Sequence, residues 1–208
     1  MDLYFLPLAC SVASRIVVYE AGAEDKVRLN PVDSKTKTLQ GGGDYFAVNP
    51  KGLVPALRID DGEVITENAA VLQYLGDAFP EAGLTPAAGS AEGYRLQQWL
   101  SFVGTELHKA TFYPLLSSQS NDGAKAFARE GAPEKLAYLN AHLTGREYLI
   151  DRFSVADAYL AAVLNWAPFV DIDLAQWPAI VAYRDRLAAR PAVGRALQEE
   201  LELDRAAA

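Results

Sequence analysis

The stretch Val54-Pro55-Ala56-Leu57-Arg58-Ile59-Asp60-Asp61-Gly62-Glu63-Val64-Ile65-Thr66-Glu67-Asn68 decides the fold. Its two short runs, Pro55–Ile59 and Glu63–Thr66, flank Asp60-Asp61-Gly62, a turn signal of the hairpin kind. Directly behind the hairpin, Ala69, Leu72 and Leu75 recur at helical spacing, which predicts a helix from about Glu67 to just before Pro80. Upstream, Leu3–Leu6 is a short apolar run that fits a buried strand and Pro7 ends it. Ile16, Val17 and Ala21 then mark a helix from about Ser14 to Ala21, stopped by Gly22. Val27, Leu29 and Val32 suggest a second strand, demoted to an edge by Pro31, and the polar, glycine-rich stretch Lys35–Asp44 reads as a mobile loop. The order strand, helix, strand, loop, hairpin, helix is an α/β layer of about 80 residues.

Beyond it the character of the chain changes. Phe79–Ser90 (FPEAGLTPAAGS) has no apolar period and reads as a linker, after which every signal is helical. Tyr94, Leu96, Trp99, Leu100, Val103 and Leu107 describe one long amphipathic helix, and further helices are expected at about 123–143, 154–167 and 178–200. Ser154 and Asp157 are placed to cap the helix over 154–167. The predicted organisation is an α/β domain over 1–80, a linker over 81–90 and an all-helical domain over 91–208.

Composition narrows the function. The 208 residues are 50% hydrophobic and 22% charged, enough to bury a sizeable core beneath a wetted surface. Nineteen basic against 27 acidic residues leave a net charge of −8, with no segregated basic face, so nucleic acid is not expected as a partner. The longest apolar run, Tyr159–Val170, is interrupted by Asn165 and Pro168 and falls short of the roughly 20 residues that cross a bilayer. No basic region precedes a long apolar stretch at the start, so no signal peptide or membrane span is expected and the location is expected to be cytoplasmic. A single cysteine, Cys10, excludes an internal disulfide, and one cysteine with two histidines at no ligand spacing predicts no metal site.

Five places hold residues suited to chemistry. Cys10 falls between a strand and the body of a helix, where free amides and the helix dipole favour thiolate; the same residue also reads as a small buried apolar side chain. At Val54-Pro55 the proline removes a ladder donor at the start of a strand, which frees the backbone of Val54 for a ligand or simply begins the strand. The helix start at Thr66-Glu67-Asn68 offers amides and the Asn68 side chain to a carboxylate and Glu67 to an ammonium group, or is an ordinary cap. His108, in Thr105-Glu106-Leu107-His108-Lys109, is either a donor near neutral pH or a structural histidine. His142 precedes Gly145 at a helix end, where a dipole contact is sufficient.

These pieces resemble the glutathione S-transferases, and among them the bacterial beta class, which carries a cysteine where other classes use tyrosine or serine. The likeness runs over nearly the whole chain. It rests on Leu8-Ala9-Cys10-Ser11, on Tyr45 to Leu57 with its Asn49-Pro50-Lys51-Gly52-Leu53-Val54-Pro55 core, on Asp60-Asp61-Gly62 followed by Thr66-Glu67, on Thr105 to Lys109, and on Phe153-Ser154-Val155-Ala156-Asp157-Ala158-Tyr159-Leu160. The resemblance implies a thioredoxin-like N-terminal domain, an all-helical C-terminal domain, and a homodimer with a glutathione site in the cleft of each subunit. It further implies that Cys10 lies beside the glutathione sulfur and that Val54, ahead of a cis-Pro55, pairs with the cysteinyl backbone. Glu67 and Asn68 would hold the γ-glutamyl end, and Lys37, with Lys35 as competitor, the glycyl carboxylate. Ser101 and Thr105 to His108 would line the site from the helical domain, and Ser11 and His108 would add polar contacts to the sulfur. Ser154 and Asp157 match a folding-related capping box. Leu8 stands where near relatives carry glycine, Arg15 where they carry histidine, and Ser101 where the family often has asparagine.

The function so implied is an enzyme that conjugates glutathione to small hydrophobic electrophiles in detoxification, with glutathione-dependent reduction of disulfides or peroxides through Cys10 as its redox variant. Two alternatives share the fold: a non-catalytic interaction module, and a glutathione-dependent lyase or etherase of aromatic catabolism.

Overall fold

Leu3, Tyr4 and Phe5 are all buried, so the strand they form has protein on both faces. In the computed structural model, which describes residues 1–207, this strand β1 (Asp2–Phe5) lies inside a four-stranded sheet of order β2-β1-β3-β4. Strand β2 (Arg28–Pro31) runs parallel to β1, with Leu3 opposite Leu29 and Phe5 opposite Pro31, and Pro31 is tolerated because β2 is an edge. Strand β3 (Ala56–Arg58) is antiparallel to β1, with Leu57 opposite Leu3, and β4 (Val64–Thr66) closes the expected hairpin.

Alternation along the strands sorts the core into two layers. Leu3, Phe5 and Leu57 share one face of the sheet, and the helices α1 (Val12–Glu20) and α2 (Asn68–Ala78) supply Ile16, Val17, Leu72 and Leu75 to the core. Tyr4 and Ala56 face the other way and pack with Val32 and Tyr45, edged by Leu39, Val48, Val54 and Val64. The parallel β1-α1-β2 unit followed by an antiparallel hairpin and α2 is the thioredoxin-like arrangement the resemblance implies. The segment Lys35–Asp44 is tied down rather than free: Asp33 accepts the Lys35 and Thr36 amides, and Val32 bridges Leu39 as Thr38 bridges Asp44.

The chain divides into two compact units, one of Met1–Thr85 with the last helix and one of Pro86–Arg190. The second unit is helical. Helix α3 (Ala91–Phe102), capped by Ser90 on the Gly93 amide, runs without a break into a ten-residue π-helical segment, Val103–Phe112, and then α4 (Tyr113–Leu116). One long helix is expected over this stretch, but its middle is wound more widely, so the Tyr113 amide reaches back to the His108 carbonyl. Helix α5 (Asp122–Leu143) packs beside it, and α6 (Val155–Leu164) is buried along its whole length. The Ser154–Asp157 capping box is present, and Asp157 also accepts the Leu149 amide and the Tyr183 hydroxyl from α7 (Pro178–Ala188). His142 lies in the last turn of α5, where burial lowers its pKa, its Nε2 lies 2.9 Å from the Leu149 carbonyl, and its ring packs 4.2 Å from Trp99.

The helix expected over 178–200 is two helices. Pro191 disfavours helical backbone at the residue before it, so α7 ends and α8 (Pro191–Ala207) begins anew. Helix α8 packs on α1 and belongs with the first unit, outside the helical unit in which residues 91–208 were grouped.

Candidate active site

Cys10 is carried by the turn from β1 to α1. The Ser11 hydroxyl accepts the Leu6 amide and donates to the Leu6 carbonyl, both at 3.1 Å, which closes the turn. Ser11 is fully buried and braces the turn that carries Cys10. The Cys10 thiol, 9% exposed, donates to the Val54 carbonyl at 3.5 Å, and its own carbonyl accepts the Asn68 amide at 3.3 Å and the Ala13 amide at 3.2 Å. The sulfur is therefore set at the start of α1, beside the positive end of the helix dipole, while the Val12, Ala13, Ser14 and Arg15 amides that the sequence left free are taken by main-chain carbonyls.

The Val54 side of this pair is prepared by the sequence before it. The Leu53 carbonyl accepts both the Tyr45 hydroxyl and the Asn49 side-chain amide at 2.7 Å, while Asn49 Oδ1 accepts the Lys51 amide. Gly52 sits at φ +62°, where a Cβ would fall 2.7 Å from the Phe46 ring, so the Asn-Pro-Lys-Gly turn admits no larger residue without a shift. The Val54–Pro55 peptide is cis. Among the described residues the Val54 N–H makes no main-chain hydrogen bond, which leaves a half-buried donor beside the thiol.

Glu67 and Asn68 open α2 at the same end of the sheet. Glu67, at φ +70°, is an exposed carboxylate paired with Lys51, whose ammonium also donates to the Thr66 hydroxyl at 3.0 Å. This ion pair is exposed on both sides. Asn68 is buried, and with its amide on the Cys10 carbonyl its Oδ1 is left without a partner. Of the two candidate lysines, Lys35 is exposed, whereas Lys37 is half-buried and held at φ +55° by main-chain bonds to Asp33 and Tyr45.

The remaining candidates lie in the helical unit. Ser101 and Thr105 are exposed, and the Thr105 hydroxyl donates to the Ser101 carbonyl at 3.0 Å. His108, on the π-helical segment, is buried, with Nδ1 2.7 Å from the Tyr159 hydroxyl and its ring 5.0 Å from Trp166. Burial, with Lys109 adding to it, pushes its pKa down to about 4, so the imidazole is neutral near neutral pH and does not act there as a cationic acid.

Two charged residues beside the thiol turn escape a reading by motif. Arg15 is buried within an otherwise apolar helix and pairs with Glu199 and Glu200 of α8. Glu200 is fully buried and accepts the Leu8 amide at 2.7 Å. The available signal was Arg15 itself: a cation on the buried face of Val12–Val18 requires a counter-charge from elsewhere. Among the described residues no cluster of His, Cys, Asp and Glu could hold a metal ion, and no helix is long and apolar enough to cross a membrane.

Comparison with known proteins agrees with this geometry. Residues 9–78 match the family model for the glutathione S-transferase N-terminal domain and residues 105–191 that for the C-terminal domain. A relative from Escherichia coli O157:H7, glutathione S-transferase GstA, is 42% identical over 96% of this chain and 98% of its own. Among solved structures, a sphingomonad glutathione S-transferase complexed with glutathione superposes with a TM-score of 0.90 at 46% identity, over 96% of this chain and 98% of its own. A bacterial beta class enzyme from Sphingomonas chungbukensis matches with a TM-score of 0.90 at 43% identity and the same coverage. With both halves matched and close relatives aligned along nearly the entire length, the chain belongs to the glutathione S-transferases and resembles their bacterial beta class.

Proposed function

We propose that this transferase binds glutathione at the Cys10 turn and joins the glutathione sulfur to the electrophilic carbon of a small hydrophobic substrate. The observation that carries the reading is the juxtaposition of the Cys10 thiol with Val54 ahead of cis-Pro55, beside the start of α2. Held there, glutathione loses its thiol proton to solvent, and the thiolate forms the new carbon–sulfur bond as the leaving group departs with its electron pair. The Val54 N–H pairs with the cysteinyl backbone, Glu67 and Asn68 hold the γ-glutamyl end, and Lys37 meets the glycyl carboxylate. Asn68 Oδ1, buried and unpartnered, suits an ammonium donor. Ser101, Thr105 and His108 are assigned to glutathione from the family resemblance. With Nδ1 on Tyr159, His108 keeps Nε2 for a polar contact.

Thiol exchange is the second chemistry we assign. The Cys10 thiolate attacks a glutathione mixed disulfide, forms a Cys10–glutathione disulfide and expels the other thiolate. A second glutathione thiolate then releases oxidised glutathione and restores Cys10. No second cysteine is needed. The protein is further proposed to work in the cytoplasm, in detoxification, as a homodimer; the exposed Phe46 and Leu53 on the loop before Pro55 are apolar surface suited to a second copy.

Retention on immobilised glutathione, followed by turnover of a chloro-nitroaromatic and of a hydroxyethyl disulfide by wild type and Cys10→Ala, tests the reading. Retention with both activities in wild type, and loss of only the disulfide reaction in the variant, is expected. Passage straight through the column without turnover sinks it in favour of a non-catalytic module.

A further inference from the structure

Glu200 and Leu8 are 192 residues apart, and they meet beside the thiol turn. Oε2 of Glu200 accepts the Leu8 N–H at 2.7 Å, and Oε1 lies 3.5 Å from Arg15 Nη1. Arg15 is anchored in turn: its guanidinium lies 4.8 Å over the Phe5 ring, and it donates to Tyr19 and Glu199. Arg195 extends the cluster outward by joining Glu199 to Glu24. An acidic side chain is rarely buried without partners, and here they come from α1 and from the thiol turn.

The amide it accepts belongs to a residue in an unfavourable conformation. Leu8 has φ +58°, a left-handed geometry that its Cβ opposes and that glycine adopts freely. Leu6 is fastened to Ser11, so relaxation of Leu8 can be absorbed only by the residues between them, Cys10 included. The conformation at Leu8 therefore governs where the sulfur points, and a distant helix supplies the acceptor that favours it.

We propose that Glu200 is a positioning residue for the reactive thiol: by accepting the Leu8 N–H it holds leucine in the left-handed conformation that seats Cys10 on the Val54 carbonyl. The docking of α8 thereby becomes part of the active site. This deepens the function proposed above, since it takes Cys10 as the working thiol.

The test is the rate at which the Cys10 thiol reacts with dithiodipyridine at neutral pH in folded protein, measured with thermal melts on wild type, E200Q, E200A, L8G and the L8G/E200A double variant. E200A releases the turn and uncovers the sulfur, raising the rate about fivefold or more, while E200Q keeps an acceptor and stays within about twofold of wild type. In the L8G background glycine holds the turn unaided, so the same E200A change moves the rate by less than about twofold. An E200A rate at or below wild type overturns the proposal. An equal rise in both backgrounds also overturns it, because Glu200 would then act only by docking α8. Should E200A fail to fold, E200D, which withdraws the carboxylate by one carbon, takes its place in the same comparison. Failure of Cys10 as the working thiol is separately visible: wild type would then turn over disulfides no faster than Cys10→Ala, with these stoichiometric rates still measurable.

Discussion

His108 Nδ1 lies 2.7 Å from the Tyr159 hydroxyl, and both residues are buried in the helical unit. The neutral imidazole is the form this setting favours: burial pushes the pKa down to about 4, and Lys109 adds to it. The folded pKa is below the unfolded value of 6.5, so stability from this group is present above 6.5 and is lost as pH falls through about 4. We expect the His108 ring protons, followed by NMR, to stay unshifted from neutral pH down to about 5. The pH–rate profile should carry no His108 inflection between about pH 5 and 8. A His108 titration midpoint near 6.5 would contradict the assignment.

Asp157 is a buried acid at the start of α6. It accepts the Leu149 and Ser154 amides and the Ser154 and Tyr183 hydroxyls, with no exposed surface. Asp157→Ala leaves these buried donors without an acceptor, so it should lower unfolding stability by about 3 kcal/mol or more. For a chain of this length that is about 2 to 4 °C in Tm per kcal/mol. Glutathione KM measured well below the melt should be nearly unchanged, because the residue is a cap and touches no substrate.

Gly52 tests the loop that presents Val54. Alanine there adds a Cβ 2.7 Å from the Phe46 ring and occupies φ +62°. The left-handed conformation alone costs about 1 to 2 kcal/mol, and the clash moves either the ring or the Leu53–Val54 segment. We expect Gly52→Ala to raise the KM for glutathione more than it lowers kcat. Steady-state kinetics with glutathione as the varied substrate would show the split.

The parts of this molecule legible in sequence are those specified locally. Asp60-Asp61-Gly62 marks the hairpin because its turn chemistry is contained in three residues, and Ser154 with Asp157 marks the start of α6 for the same reason. The two-part architecture followed from the change of period near residue 80. The π-helical winding of Val103–Phe112 was not legible, since widening a helix within one amphipathic stretch alters the apolar spacing too little to register. Ser11 could be placed beside Cys10 but not assigned its bonds to Leu6, which depend on the curl of the turn. Glu200 was invisible for a different reason: its meaning lies in Leu8 and Arg15, far along the chain, and only packing of α8 on α1 brings them together.

The burial of Glu200 also has a consequence for stability. Its pKa is pushed up to about 8, chiefly by burial, against the opposing pull of Arg15 and the Leu8 amide; Glu199 adds to the rise. Arg15, Tyr19, Arg195 and, through Arg195, Glu24 are the other charged and titratable groups of the cluster. Because the folded pKa lies above the unfolded value of 4.5, the folded protein binds more protons than the unfolded chain between 4.5 and about 8. Stability from this group is therefore fully present below 4.5 and is lost as pH rises through about 8. Each pKa unit of displacement corresponds to about 1.4 kcal/mol, so the slope should be measurable in urea unfolding. Glutamine cannot ionise, and E200Q should remove this fall while leaving the slopes due to other groups in place. The comparison is the difference in unfolding free energy between wild type and E200Q at about pH 5 and about pH 8. E200Q should gain on wild type as pH rises, and a difference that stays constant across this range would mean that Glu200 titrates alike in the folded and unfolded chain.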